Sequence, residues 1–142
     1  MKDKKTNLQD QLFRKFGRSF PKGTFLFRES ESGKEMYIIQ SGKVRITKKT
    51  GGADKTLAII SSGDFFGEMA ILTDGPRSAT AEVIEDSEVL VINPETFEAL
   101  IQANSDIAMK ILRTLAERIK EANRQIEVLL SVTSQAQSGK GT

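Results

Sequence analysis

Residues 66–80 carry groups suited to binding a phosphate and a sugar. Gly67 comes just before an apolar run that predicts a short helical turn, whose backbone N–H groups and positive end attract anions. The carboxylate of Glu68 can accept hydrogen bonds from sugar hydroxyls. Arg77 offers a planar set of donors that fits a phosphate, and the Ser78 hydroxyl follows it in sequence.

The spacing of these residues is more specific than any one of them. A Gly-Glu pair or an Arg-Ser pair alone is common among proteins of every class. Here Arg77 follows Glu68 by nine residues, and Asp74-Gly75-Pro76 predicts a turn between them. We therefore interpret 66–80 as one phosphate-binding loop, called the 66–80 loop below.

Length and composition predict one soluble globular domain with a modest core. The chain has 142 residues, of which 38% are hydrophobic and 28% are charged. No apolar run approaches the ~20 residues that span a bilayer, and no secretory signal is evident at the N-terminus. We expect a cytoplasmic protein without membrane contact. The net charge of +2 is too small to indicate nucleic-acid binding by this chain.

Missing residue types narrow the chemistry. The sequence has no cysteine and no histidine, so thiolate nucleophiles, cysteine-ligated zinc, iron–sulfur clusters, imidazole bases and histidine-ligated haem are excluded. No pair of carboxylates stands out as an acid and base. We expect no metal, haem or iron–sulfur cluster, and no enzyme activity.

Short β-rich segments separated by turn signals predict an antiparallel sandwich or barrel over residues 24–92. Ser41-Gly42 and Gly51-Gly52 are candidate hairpin turns, because glycine tolerates the backbone angles that tight hairpins need. The predicted strands are 24–27, 36–39, 44–47, 56–60, 79–83 and 89–92.

Three helices are predicted outside these strands. One covers about 7–16; a second begins at Asn93-Pro94, where asparagine can cap the helix and proline suits its first position. Asn104 begins a third helix, which we expect to run to about Leu130. The polar residues 131–142 predict a disordered tail or linker.

The third predicted helix has a heptad stripe of apolar residues. Packing against the chain's own barrel would produce such a stripe, but it continues beyond the length that a small domain covers. A parallel partner helix is the better explanation, so we expect a homodimer. The stripe consists of Leu115, Ile119, Ala122, Ile126 and Leu129.

The 66–80 loop and the strand pattern from about residue 20 to 130 closely resemble the cyclic nucleotide-binding domain of the catabolite activator protein (Crp/Fnr-type) regulators. The resemblance implies an α+β, mainly β fold: an antiparallel double-stranded β-helix (jelly roll) with flanking helices and a long C-terminal dimerisation helix. The domain would cover 1–130 and the tail 131–142. The family usually has glycine where this chain has Ser30, so Ser30 is strained if that turn needs a positive φ.

The resemblance also implies a role for each site residue. Gly67 would approach the phosphate, Glu68 would bind the ribose 2′-hydroxyl and Arg77 would neutralise the phosphate. Adenine is contacted by two hydroxyl residues in the bacterial activators, but here those positions are Ala122 and Asn123, and only Asn123 can form side-chain hydrogen bonds. The predicted ligand-binding residues are Phe66, Gly67, Glu68, Met69, Ala70, Arg77, Ser78, Ala79 and Asn123.

The function implied is an allosteric sensor of a transcription regulator, with cAMP favoured as the ligand and cGMP as the alternative. The bacterial activators follow the long helix with a helix-turn-helix DNA reader, which this chain lacks, so DNA contact would require that missing part. A stand-alone nucleotide-binding module and a degenerate dimerisation module are the main alternatives. An enzyme that hydrolyses a cyclic phosphodiester through Glu68 is a third.

Overall fold

The computed structural model describes residues 11–140, with side chains as far as Ser134, and divides into two compact units between Phe97 and Glu98. Residues 11–16 form helix α1, and the part of the predicted first helix before residue 11 lies outside the described residues. The other elements are β1 (Gly17–Phe20), β2 (Phe25–Phe27), β3 (Met36–Thr50), β4 (Ala53–Ser61), β5 (Phe65–Phe66), α2 (Met69–Leu72), β6 (Thr80–Ile92), α3 (Pro94–Ala103) and α4 (Ser105–Lys140).

The strands of the first unit form one six-stranded sheet. Its main order is β1-β6-β3-β4, with β2 also pairing with β6 and β5 with β3. Every pairing is antiparallel. The predicted fold class, an antiparallel and mainly β architecture with a long C-terminal helix, is confirmed.

Strand β3 is continuous where the sequence predicted a hairpin at Ser41-Gly42. That prediction is wrong because both halves of β3 pair with the same strand, β6, and the chain does not reverse. The register shifts between Ile39 and Val44, which marks a bulge. A side chain at Gly42 would overlap Ser87 of β6, so glycine lets the bulged strand pass close to its neighbour.

The other predicted hairpin, at Gly51-Gly52, is confirmed between β3 and β4. Thr50 lies opposite Ala53, leaving the two glycines as the turn. Their φ angles are +62° and +84°, as a type I′ turn requires at both central positions.

The core is formed mainly by alternate residues of β3 and β6. Val44, Ala81, Val83 and Val89 are fully buried, and Ile39 is nearly so. Burial of each valine or isoleucine stabilises the fold by about 1.5–3 kcal/mol. The core also includes Tyr37 and Phe66, which bring it up to the start of the 66–80 loop.

Both predicted asparagine caps are confirmed. The Asn93 Oδ1 atom accepts a hydrogen bond of 2.8 Å from the N–H of Thr96 at the start of α3. The Asn104 Oδ1 atom accepts bonds from the N–H groups of Asp106 and Ile107 at the start of α4. Each cap satisfies backbone donors that have no partner within the helix.

Helix α4 continues to Lys140, so the predicted helix end near Leu130 and the disordered tail over 131–140 are wrong. The polar residues after Leu130 include no proline, and the first glycine there is Gly139, so nothing breaks a helix that has already formed. Residues 141–142 lie outside the described residues, and the linker role remains a prediction. Within 11–140, no helix is both long and apolar enough to cross a membrane.

Candidate functional site

The second residue of the 66–80 loop is a glycine that its surroundings favour. Strand β5 ends at Phe66, Gly67 has a φ of +82°, and the single turn of α2 follows Glu68 as the sequence predicted. A Cβ atom on Gly67 would lie 3.1 Å from both Arg77 Nη1 and the Glu35 carbonyl oxygen. The positive φ and this close approach both favour glycine.

Arg77 is held through both its main chain and its side chain. Its side chain lies in the interior, since the residue is only 5% exposed. The Nη2 atom donates a hydrogen bond of 2.8 Å to the Glu35 carbonyl oxygen, and Nη1 donates one of 3.3 Å to that of Gly67. The Arg77 backbone N–H donates to the Glu31 carbonyl oxygen, at 2.8 Å. Main chain and side chain are therefore fixed together.

Aromatic rings surround the same guanidinium group. The Arg77 Cζ atom lies 4.1 Å from the centroid of the Phe27 ring and 5.9 Å from that of Tyr37. Tyr37 in turn stacks on Phe66, with ring centroids 5.1 Å apart. A cation over an aromatic face is attracted by the ring quadrupole, more strongly where water is excluded. The rings compensate part of the cost of burying the charge.

One side-chain nitrogen of Arg77 has no hydrogen-bond partner. Among the side-chain atoms that the structure describes, its Nε is the buried nitrogen without a hydrogen-bond partner. A buried polar group left unpaired costs about 1–3 kcal/mol. The Nε–H group is therefore the part of this guanidinium group that the described protein leaves without an acceptor.

The structure buries some of the other predicted site residues and exposes others. Glu68, Ala70 and Ala79 are buried, at 6–7% exposed. The side chain of Met69 faces outward, and Ser78 is also exposed. The sequence-predicted loop therefore has a buried part around Gly67, Glu68 and Arg77 and an outer edge at Met69 and Ser78.

Asn123, the predicted base contact, belongs to the second unit. It is exposed on α4, as are its neighbours on that helix. Its role toward a base remains a prediction.

A family model described as "Cyclic nucleotide-binding domain" matches residues 17–104, well over half of the chain. The chain belongs to the cyclic nucleotide-binding domain family. The match includes the whole 66–80 loop and every strand, so the resemblance seen in the sequence is confirmed.

Individual relatives of this cyclic nucleotide-binding domain are regulators and kinases. It is 37% identical to the "Cyclic AMP receptor protein" of Thermus thermophilus over 79% of this chain and 52% of that protein. It is 36% identical to human "cGMP-dependent protein kinase 2" over 70% of this chain and 13% of the kinase. The crystal structure of the Thermus thermophilus catabolite activator protein superposes with a TM-score of 0.77 at 35% identity, covering 87% of this chain and 59% of that one.

The bacterial relatives are matched over only part of their length. The chain spans about half the length of the curated regulators that it matches, 52% in the case of the Thermus receptor. Activities that depend on the other half of those regulators therefore lie outside the matched part.

Several residues that contact the 66–80 loop were not predicted from the sequence. The carbonyl of Glu35 and the ring of Phe27 contact Arg77, which lies 42 and 50 residues further along the chain. Lys48 was also missed: its Nζ atom donates a hydrogen bond of 2.9 Å to the Ser78 carbonyl oxygen and lies 3.7 Å from Glu29 Oε2. The sequence carries no local signal for such contacts, since they depend on how β3 and the 66–80 loop pack.

Tyr37 has a perturbed pKa at the edge of this cluster. Burial raises the pKa of its phenol above the ordinary value of 10.0, and the nearby Glu35 carboxylate raises it further. The Tyr37 hydroxyl donates a long hydrogen bond of 3.4 Å to Glu35 Oε2. The ring therefore stays neutral beside Arg77 at physiological pH.

A cavity of about 650 Å³ lies outside the predicted nucleotide site. It is lined by residues including Arg45, Thr56 and Glu82, and none of the predicted site residues contributes to it. Over the residues that the structure describes, no group of three or more aspartate and glutamate side chains is placed to hold a metal ion.

Proposed function

We propose that this chain is the cyclic nucleotide-binding sensor domain of a Crp/Fnr-type transcription regulator, with the nucleotide phosphate bound at Arg77. The observation that carries the proposal is the buried Nε of Arg77, a charged donor held in place without an acceptor. A cyclic phosphate supplies an acceptor of opposite charge. Charge-assisted hydrogen bonds of this kind contribute about 1.5–3 kcal/mol each.

The remaining groups of the 66–80 loop complete the proposed contacts. Glu68 lies two residues from the end of β5 and binds the ribose 2′-hydroxyl through its carboxylate. The Ser78 hydroxyl, exposed next to Arg77, adds a contact to the phosphate. Because α2 is a single turn of four residues, its dipole contributes little, and Arg77 carries most of the phosphate binding.

We favour cAMP over cGMP as the ligand. Support comes from the similarity to a protein named for cyclic AMP, while the similarity to a kinase named for cGMP keeps the second nucleotide as the alternative. Asn123 can both donate and accept hydrogen bonds, so it can read the edge of either purine. Ala122, beside it, adds no side-chain hydrogen bond.

The proposed output is allosteric, in a homodimer, and the chain is not itself an enzyme. The stripe residues Ile119, Ile126 and Leu129 on α4 are all more than half exposed, at 62%, 53% and 66%, and a second copy of the helix would cover them. Nucleotide acts as a switch only if it binds one pose of the long helix more tightly than another. DNA contact belongs to a further part of a cytoplasmic regulator.

Calorimetric titration with cAMP, cGMP and cyclic di-GMP tests this function. We expect one nucleotide per protomer, with cAMP binding most tightly. Tighter binding of cGMP would change the ligand and keep the sensor. Binding of none of the three would favour the degenerate dimerisation module. Nucleotide recovered unchanged after long incubation supports a sensor, and a linear nucleotide product would show a hydrolase.

A further inference from the structure

The segment that joins β2 to β3, residues 28–35, packs on Arg77 through its backbone. Arg77 accepts a hydrogen bond from the N–H of Ser30 and donates one to the carbonyl oxygen of Glu31, both at 2.8 Å. The Glu35 carbonyl oxygen then accepts the 2.8 Å bond from Nη2. Three residues of the 28–35 segment therefore bind Arg77 through their backbone groups, and none of them uses its own side chain.

Gly33 lies in the middle of this segment, against the edge of the guanidinium group. A Cβ atom added there would be 3.0 Å from both Nε and Nη2 of Arg77, closer than side-chain contacts normally come. The φ of Gly33 is outside the left-handed region, so the backbone does not require glycine at this position. What favours glycine is the close packing of this segment against the Nε–Nη2 edge of Arg77, since Nε is buried there and a methyl group would push the edge aside.

We propose that Gly33 and Phe27 are positioning residues for phosphate recognition. Phe27 supports the guanidinium face, 4.1 Å from Cζ, and Gly33 lets the 28–35 segment pack against its Nε–Nη2 edge without displacing it. A free arginine side chain loses about 2 kcal/mol of rotamer entropy when it is fixed, and a pre-positioned one has already lost it before the ligand arrives. This inference rests on the proposed function, because it assumes that Arg77 binds the phosphate.

The main test compares Gly33→Ala with Ser32→Ala. Both variants change one small residue of the 28–35 segment, but only the first places a methyl group against Arg77. We expect Gly33→Ala to weaken cAMP binding about tenfold, equivalent to about 1.4 kcal/mol. Ser32→Ala should stay within twofold of wild type. Unchanged or tighter binding by a folded Gly33→Ala variant would overturn the proposal.

A second comparison separates positioning from general damage. In an Arg77→Lys background the Nε–Nη2 edge is absent, so Gly33→Ala should cause little further loss of affinity. A full tenfold loss in that background would show that Gly33 acts on something other than Arg77. Phe27→Leu, which keeps an apolar side chain but removes the ring face, should weaken binding about threefold in the arginine protein. It tests the same inference if Gly33→Ala does not fold, and unchanged binding would then refute it.

A readout without nucleotide separates this inference from the proposed function. The Arg77 Nε–Hε signal in a proton–nitrogen NMR spectrum should be shifted by the Phe27 ring current. Gly33→Ala and Phe27→Leu should both move this signal, and Ser32→Ala should not. If the wild type binds no cyclic nucleotide but this pattern appears, the proposed function fails and the positioning of Arg77 stands. A signal that is the same in all four proteins would refute the positioning.

Discussion

The backbone N–H of Ser30 donates a hydrogen bond of 2.8 Å to the carbonyl oxygen of Arg77 while Ser30 itself has a φ of +76°. Over residues 11–140, Ser30 is the one non-glycine residue with a positive φ. The sequence-based expectation of strain at this position is therefore confirmed. A left-handed conformation costs a residue with a Cβ atom about 1–2 kcal/mol. Here the strained residue is hydrogen-bonded to Arg77, the residue predicted to bind the phosphate.

Ser30→Gly should raise the free energy of unfolding by about 0.5–1 kcal/mol. Glycine removes the left-handed strain, and its larger entropy loss on folding offsets part of the gain. Urea denaturation measures the change. Ser32→Gly is the matched control: Ser32 has no positive φ to relieve, so this variant should lose stability. A gain of similar size from both substitutions would show that the stabilisation does not come from relief of the positive φ at Ser30.

Arg77→Leu should lower cAMP affinity by about two orders of magnitude or more, because it removes two or more charge-assisted hydrogen bonds. The protein should fold with reduced stability, since the Gly67 and Glu35 carbonyl oxygens lose their donors. Calorimetry gives the affinity and thermal unfolding the stability. Arg45→Leu removes a half-buried arginine outside the predicted site and should leave affinity unchanged. Binding of Arg77→Leu within threefold of wild type would contradict the assignment.

Glu68→Ala should weaken cAMP binding, and wild type should bind the 2′-deoxy analogue poorly. The two losses should not add, because both changes remove the same contact between the carboxylate and the ribose hydroxyl. Titrating both ligands into both proteins completes the cycle. Fully additive losses would show that Glu68 does not contact the ribose 2′-hydroxyl.

Tyr37 should make the protein lose stability above pH 10. Its phenol pKa is raised from 10.0 by burial and then by Glu35, so the folded state favours the neutral ring. The resulting stabilisation is present below pH 10 and is lost as pH rises through the higher folded pKa. The sequence contains one tyrosine, so phenolate absorbance reports this group alone. Tyr37→Phe should reduce the alkaline loss; an equally steep loss in that variant would assign it to other groups.

Ile126→Glu should shift the proposed homodimer toward monomer, because it places a charge in the apolar seam between helices. Val128→Glu adds the same charge to the same helix but off the stripe, and the two wild-type side chains are similarly exposed, at 53% and 50%. Light scattering over a range of concentrations should show dissociation for the first variant only. A monomeric wild type at tens of micromolar, with and without nucleotide, would rule out the dimer.

Local signals in the sequence predicted most of the secondary structure. The caps at Asn93 and Asn104 and the Gly51-Gly52 turn depend on a few adjacent residues and are confirmed. The hairpin at Ser41-Gly42 was wrong because the same dipeptide also suits a bulge, and only the partner strand decides between the two. The end of α4 was missed because polar residues end a helix only weakly without proline or glycine.

The predicted ligand-binding side chains could be read from the sequence, but the contacts that support them could not. The nine-residue spacing of Glu68 and Arg77 around a turn predicted a sugar and a phosphate contact. Nothing near Arg77 in sequence indicates that Glu35 accepts its hydrogen bond or that Phe27 lies under it, because these contacts arise from the pairing of β2 and β5 with other strands. Since every residue has a backbone carbonyl, the residue type does not indicate which carbonyl accepts a hydrogen bond from Arg77.

The 36 residues of α4 also have a mechanical consequence. At 1.5 Å per residue, a helix of that length extends about 54 Å, longer than most small domains are wide. For a rigid helix of this length, a tilt of about 5° at one end would displace the other by roughly 5 Å, close to the rise of one helical turn. A sub-ångström adjustment at its base would therefore be amplified at its far end.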